Sequence, residues 1–145
     1  MNNLGFMRKV LFFIFLLTVL VPALSFAGDV VLVVNSSVPD QTLTKDEVKA
    51  IYLGEKTKWS DNSRITFVVL KTPEVMDSFM RQFVGKSSFQ FDNYWKYQTF
   101  TGKGSPPRSF DNVEDLIDFV GKTPGAIGYA SQDTPLNSSK KISVQ

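Results

Sequence analysis

Residues 64–79 read RITFVVLKTPEVMDSF. The run from Ile65 to Leu70 is apolar and rich in β-branched side chains, which predicts a strand. Lys71-Thr72-Pro73 follows, and then Val75, Phe79 and Phe83 recur four apart, which predicts a helix stopped by Gly85. A strand feeding straight into a helix start makes this an α/β chain. It also raises a chemical question. The free N–H groups and positive dipole end of a helix start can seat an anion. Alternatively the junction only turns the chain, with Thr72 as cap and Pro73 at the first helical position. Pro73 removes one donor and Glu74 puts a negative charge in the first turn, so the turn is the favoured reading.

Outward from this stretch the pattern continues. Asp29 to Asn35, DVVLVVN, is a continuous apolar strand, followed by the loop that starts Asn35-Ser36-Ser37. Thr44 and Glu47 form a capping box, with Leu43 and Val48 as hydrophobic staple. Val48, Ile51 and Tyr52 make the buried stripe, and Gly54 ends that helix. A polar loop from Glu55 to Ser63 holds Trp59. Ser87 and Gln90 form a second capping box, opening a helix whose Phe89, Phe91, Tyr94, Trp95 and Phe100 read as core, with Tyr97 off the stripe and exposed. Thr101 to Ser109 reads as a long loop. Asn112 caps a helix with Val113, Leu116, Ile117 and Val120 on one face, closed by Gly121. Ala126 to Ala130 is a short strand, and Lys141 to Val144 reads as another. The fold class expected is α/β, a small mixed sheet flanked by helices.

The first 27 residues are read apart from the fold. Arg8 and Lys9, the apolar run Val10 to Leu24, and Ser25-Phe26-Ala27 form a signal peptide cleaved after Ala27. The run is short for a membrane span of ~20 residues, so no stable membrane anchor is expected after cleavage. Residues 28–145 then form a single domain. Removing Arg8 and Lys9 leaves 14 basic residues against 14 acidic ones, and a neutral domain has no general pull toward nucleic acid.

The chain has no cysteine and no histidine. That excludes disulfides and thiol chemistry, and it removes the commonest general base and metal ligand. No zinc, EF-hand or triad pattern is present, so the reading is no enzyme, no metal and no cofactor. In Thr101-Gly102-Lys103-Gly104-Ser105 the glycines let backbone approach a phosphate, but the spacing is not that of a P-loop. Arg108 beyond it has the fork that grips an oxyanion.

Three stretches together resemble a known family: LTKDEVKAIYLGEKTKWSDNSRITFV (43–68), YWKYQTFTGKGSPPRSF (94–110) and TPGAIGYA (123–130). They are similar to the substrate-binding proteins of ABC-type phosphate transporters, in a short single-lobe form. The resemblance implies one lobe of a type 2 periplasmic-binding-protein fold, a periplasmic location and a role in solute transport. In the full-length phosphate binders two lobes close on the anion, and the strand after the Trp-Asp unit ends in an arginine and a Ser/Gly/Thr-rich turn. Here that place carries Leu70-Lys71-Thr72-Pro73-Glu74. The implied oxyanion residues are Lys71 and Thr72, Asn35, Ser36 and Ser37, and Lys103 and Arg108, with phosphate binding weak or lost. The alternative is an interaction module whose open face docks an envelope protein or a second copy, forming a homodimer. Trp59 and Tyr97 are its exposed apolar candidates.

Overall fold

The computed structural model describes residues 29–145, so the signal-peptide reading lies outside the described residues. In chain order the elements are β1 (Val30–Asn35), β2 (Thr42–Leu43), α1 (Lys45–Tyr52), β3 (Thr66–Leu70) and α2 (Pro73–Phe79). A π-helical turn (Met80–Val84) follows, then α3 (Ser88–Phe100), β4 (Arg108–Phe110), α4 (Val113–Lys122), β5 (Ala126–Ser131) and β6 (Ser139–Val144). The strands form one mixed sheet in the order β2-β6-β1-β5-β3-β4. β3 runs parallel to β4 and β5, whereas β1 is antiparallel to both β5 and β6.

The helix starts follow the local chemistry. Thr44 Oγ1 accepts from the Glu47 N–H at 3.2 Å, and Glu47 Oε2 accepts from the Thr44 N–H at 2.9 Å. Ser87 and Gln90 form the same reciprocal pair. Asn112 caps α4 through a bond from the Asp115 N–H. Thr72 sits at the N-cap position of α2, yet its side chain makes no capping bond.

Five elements differ from expectation, the first being β2, where Thr42–Leu43 pairs with Ser143 and Val144 although its spacing marks Leu43 only as a staple residue. Arg108–Phe110, placed at the end of a loop, pairs with Val68–Leu70 as β4, and three residues are too few to show a period. β6 begins at Ser139 rather than Lys141. Gly121 lies inside α4, and Gly125 takes the left-handed conformation instead. The helix expected up to Gly85 changes to π geometry at Met80, with the Gly85 N–H bonded to the Met80 carbonyl at 2.8 Å.

Strand alternation divides the core into two layers. Phe67 faces Tyr52 of α1 and Trp95 of α3. Val68 faces the α4 side, where Gly128 is needed because a Cβ there would meet Leu116 at 2.9 Å and Val68 at 3.1 Å. On the first side Tyr129 stacks on Phe79 at 3.9 Å, with Tyr52 edge-on to Phe79 at 4.7 Å. Their hydroxyls donate to the β3 carbonyls of Val68 (Tyr52) and Leu70 (Tyr129), so both buried polar groups are satisfied.

Candidate functional site

Because β3, β4 and β5 are parallel, their C-terminal ends share one edge of the sheet. Lys71 stands there, its N–H donating to the Phe110 carbonyl at 2.8 Å. By alternation it points to the same side as Phe67 and Val69. That side opens into a cleft of about 720 Å³ between β3, β4 and α3. Two rows of α3 spaced at i, i+4 build one wall: Phe91, Trp95 and Thr99, then Asp92, Lys96 and Phe100. Val69, Lys71 and Ser109 line the sheet side, and Pro106 and Pro107 the lip. Two ammonium groups, the Asp92 carboxylate and two hydroxyls thus line the cleft among apolar side chains, the Thr99 hydroxyl already donating to the Trp95 carbonyl at 2.9 Å. Among the described residues neither Lys71 nor Lys96 is engaged in an ion pair.

The residues singled out from sequence do not all meet here. Lys71 lines the cleft, and Thr72 adjoins it with an unengaged cap position. Lys103 is exposed on the α3–β4 loop and does not line the cleft. Arg108 is one residue off the register of Ser109 and so faces the α4 side. There its guanidinium lies 4.8 Å from the Phe119 ring centre and 5.2 Å from that of Phe110. Asn35, Ser36 and Ser37 lie at the opposite edge of the sheet, because antiparallel β1 ends beside the start of β5. A five- to six-residue strand separates the two edges by about 17–20 Å. The buried Asn35 side chain is consumed there. Its Nδ2 donates to the Val120 and Gly121 carbonyls at 2.8 and 2.9 Å, and its Oδ1 accepts from the Ser37 N–H. The Ser37 hydroxyl accepts from the Gly125 N–H, and Ser36 is exposed.

The two aromatic candidates also part. Tyr97 is 59% exposed, as its helical position implies. Trp59 is only 3% exposed, because its indole N–H donates to the Gly125 carbonyl at 3.0 Å and pins the loop down. Phe89 and Phe100, read as core, stand out in solvent. Sequence reasoning missed Lys96 and Ser109 and treated Asp92 as plain helix surface. The i, i+4 spacing of Asp92, Lys96 and Phe100 was the available signal. Among the described residues no group of three or more His, Cys, Asp or Glu could hold a metal ion, and no helix is long and apolar enough to cross a membrane.

Comparison with solved structures finds the same fold in larger proteins. A Clostridium perfringens protein, described as a phosphate ABC transporter substrate-binding protein and solved with bound phosphate, superposes with a TM-score of 0.64 at 20% identity, over 81% of this chain and 45% of its own. PstS from Borrelia burgdorferi gives 0.62 at 14% identity, covering 81% and 47%. An ABC-type phosphate transport receptor from Vibrio cholerae gives 0.56 at 17% identity, covering 81% and 46%. The chain therefore spans less than half the length of each of these three. A search of curated proteins returns no match. Residues 24–144 match the family described as PBP superfamily domain, and with nearly the whole described sheet and all its helices inside that match, the chain belongs to this family.

Proposed function

We propose that this chain is an exported solute-binding-type domain that holds a small oxyanion, phosphate in the first instance, weakly in the cleft beside Lys71. In this reading residues 1–27 direct it to the periplasm and are removed after Ala27. The observation that carries the reading is the position of Lys71. It ends the strand that opens α2 and turns, without an ion-pair partner among the described residues, into a cleft shared with Lys96 and Ser109. The phosphate bound in the Clostridium perfringens relative supports the choice of ligand class.

Weak binding follows from what surrounds Lys71. Pro73 and Glu74 leave the start of the seven-residue α2 short of donors and negatively charged. The cleft is open to water, where a charge-assisted bond loses most of its strength. We assign no catalytic step to the site.

Calorimetric titration of the exported chain with inorganic phosphate, at low salt and neutral pH, tests the reading. A Kd of about 0.1–1 mM is expected. Lys71→Ala should weaken it at least about fivefold, the loss of one charge-assisted hydrogen bond. Arg108→Ala should leave it unchanged, since Arg108 faces the other side of the sheet. An absence of Lys71-dependent heat would mean that the junction only turns the chain.

A further inference from the structure

The large hydrophobic side chains left exposed among the described residues are Phe89 (72%), Tyr97 (59%) and Phe100 (92%), and all three belong to α3. At 3.6 residues per turn they fall within an arc of about 80°. That arc lies opposite the face that buries Phe91 and Trp95 in the core. So α3 is aromatic on both faces, a pattern that belongs to a helix covered on both sides. Its inner face is covered by this chain, whereas its outer face is bare.

We propose that the outer face of α3 is a self-association surface on which a second copy of this chain lays its own α3 antiparallel. The charges select this occupant. Asp92 and Lys96 both flank the aromatic stripe on its cleft side, and among the described residues neither is in an ion pair. In an antiparallel pair of identical helices the same flanks face each other. A register that sets Phe89 opposite Phe100 of the partner subunit therefore brings Asp92 to Lys96 of the partner subunit, and Lys96 to Asp92 of the partner subunit. A two-fold interface of this kind is self-complementary. A parallel pairing would set unlike flanks together and leave both charges unmatched. The remaining polar residues of the face, Gln90 and Asn93, are neutral and oppose no approach.

The same arrangement changes the cleft. Lys96 and Phe100 line its mouth, so the partner's Phe89 would close over that mouth and exclude water from the Lys71 side. Lys96 is common to this inference and to the oxyanion reading, but the self-association rests on the exposed aromatic face of α3 and is measured without phosphate. Six aromatic side chains, about three quarters exposed on average, can bury on the order of 700–1,100 Å² between them, and the flanking Gln90, Asp92, Asn93 and Lys96 bring the contact to the lower end of the specific interface range, about 1,200 Å². Micromolar rather than obligate association is expected.

Sedimentation velocity of the exported chain from about 5 to 500 μM, a range that brackets a micromolar Kd, reads the outcome. The wild type should pass from monomer to dimer. Phe100→Ser, at a solvent-exposed position, should keep its circular dichroism spectrum and weaken the dimer at least about tenfold. Asp92→Lys and Lys96→Asp should each be monomeric alone, through like-charge contacts. Mixed in equal amounts they should recover a dimer, since each then meets its opposite. A wild type that stays monomeric throughout overturns the proposal. So does a dimer indifferent to Phe100→Ser, or one in which the charge-reversed pair fails to recover.

Discussion

At Gly125 three constraints meet in one residue. Its φ is +73°, a Cβ would lie 2.2 Å from the Arg64 carbonyl oxygen, and its own carbonyl accepts from both the Thr66 N–H and the Trp59 indole. Gly125→Ala is expected to destabilise the domain by more than about 2 kcal/mol, since both the left-handed backbone and the clash oppose it. The shift of the urea midpoint measures this. Asn35 ties the end of β1 to the end of α4 through two bonds and holds its own loop through a third, from the Ser37 N–H, so Asn35→Ala should cost about 2–4 kcal/mol by the same measurement. Glu47 responds to pH. The bond from Lys56, and then the Thr44 backbone N–H, hold its carboxyl below the ordinary 4.5. A depressed folded value means that the stabilisation is full above the unfolded value and is lost as pH falls through the folded one. The stability gap between wild type and Glu47→Gln should therefore narrow between about pH 6 and pH 3. The gap itself should be below about 1 kcal/mol, because the carboxylate is partly in water.

Among elements, α3 depends on two aromatic anchors. The Trp95 indole donates to the Tyr52 carbonyl at 3.1 Å, and the Tyr94 hydroxyl to the Leu53 carbonyl at 2.7 Å. Both acceptors stand at the C-terminus of α1, where carbonyls lack helical partners. Trp95→Phe should cost about 1–3 kcal/mol, and it should raise hydrogen exchange in α3 ahead of exchange in β1 and β5. The capping residues of α1, α3 and α4 were legible in sequence because a cap bonds within its own turn. Thr72 had the same signature but leaves its hydroxyl unused. β4 and the burial of Trp59 were not legible. Each depends on a partner far along the chain, Val68–Leu70 in one case and Gly125 in the other.

For the molecule as a whole, the exported form proposed here should begin at Gly28, and intact mass spectrometry of the periplasmic fraction checks that. A mass that retains residues 1–27 would refute the cleavage. The site itself shows how far sequence reaches. Lys71 was identified correctly as the end of a strand that opens a helix, since both elements are written in neighbouring residues. Gathering Asn35, Ser36, Ser37 and Arg108 around it failed for two reasons. β1 runs antiparallel to β5, which carries its C-terminal loop to the far edge. Strand alternation then turns Arg108 away from Ser109. The strand and helix patterns, the caps, the absence of histidine and cysteine, and the family likeness were determined by the sequence alone, because each rests on local spacing or on composition. The tertiary structure alone decided which strand ends share an edge, which side chains face the cleft, and which aromatic face of α3 stays in water. Those depend on strand direction and on packing between distant segments, which no local period encodes.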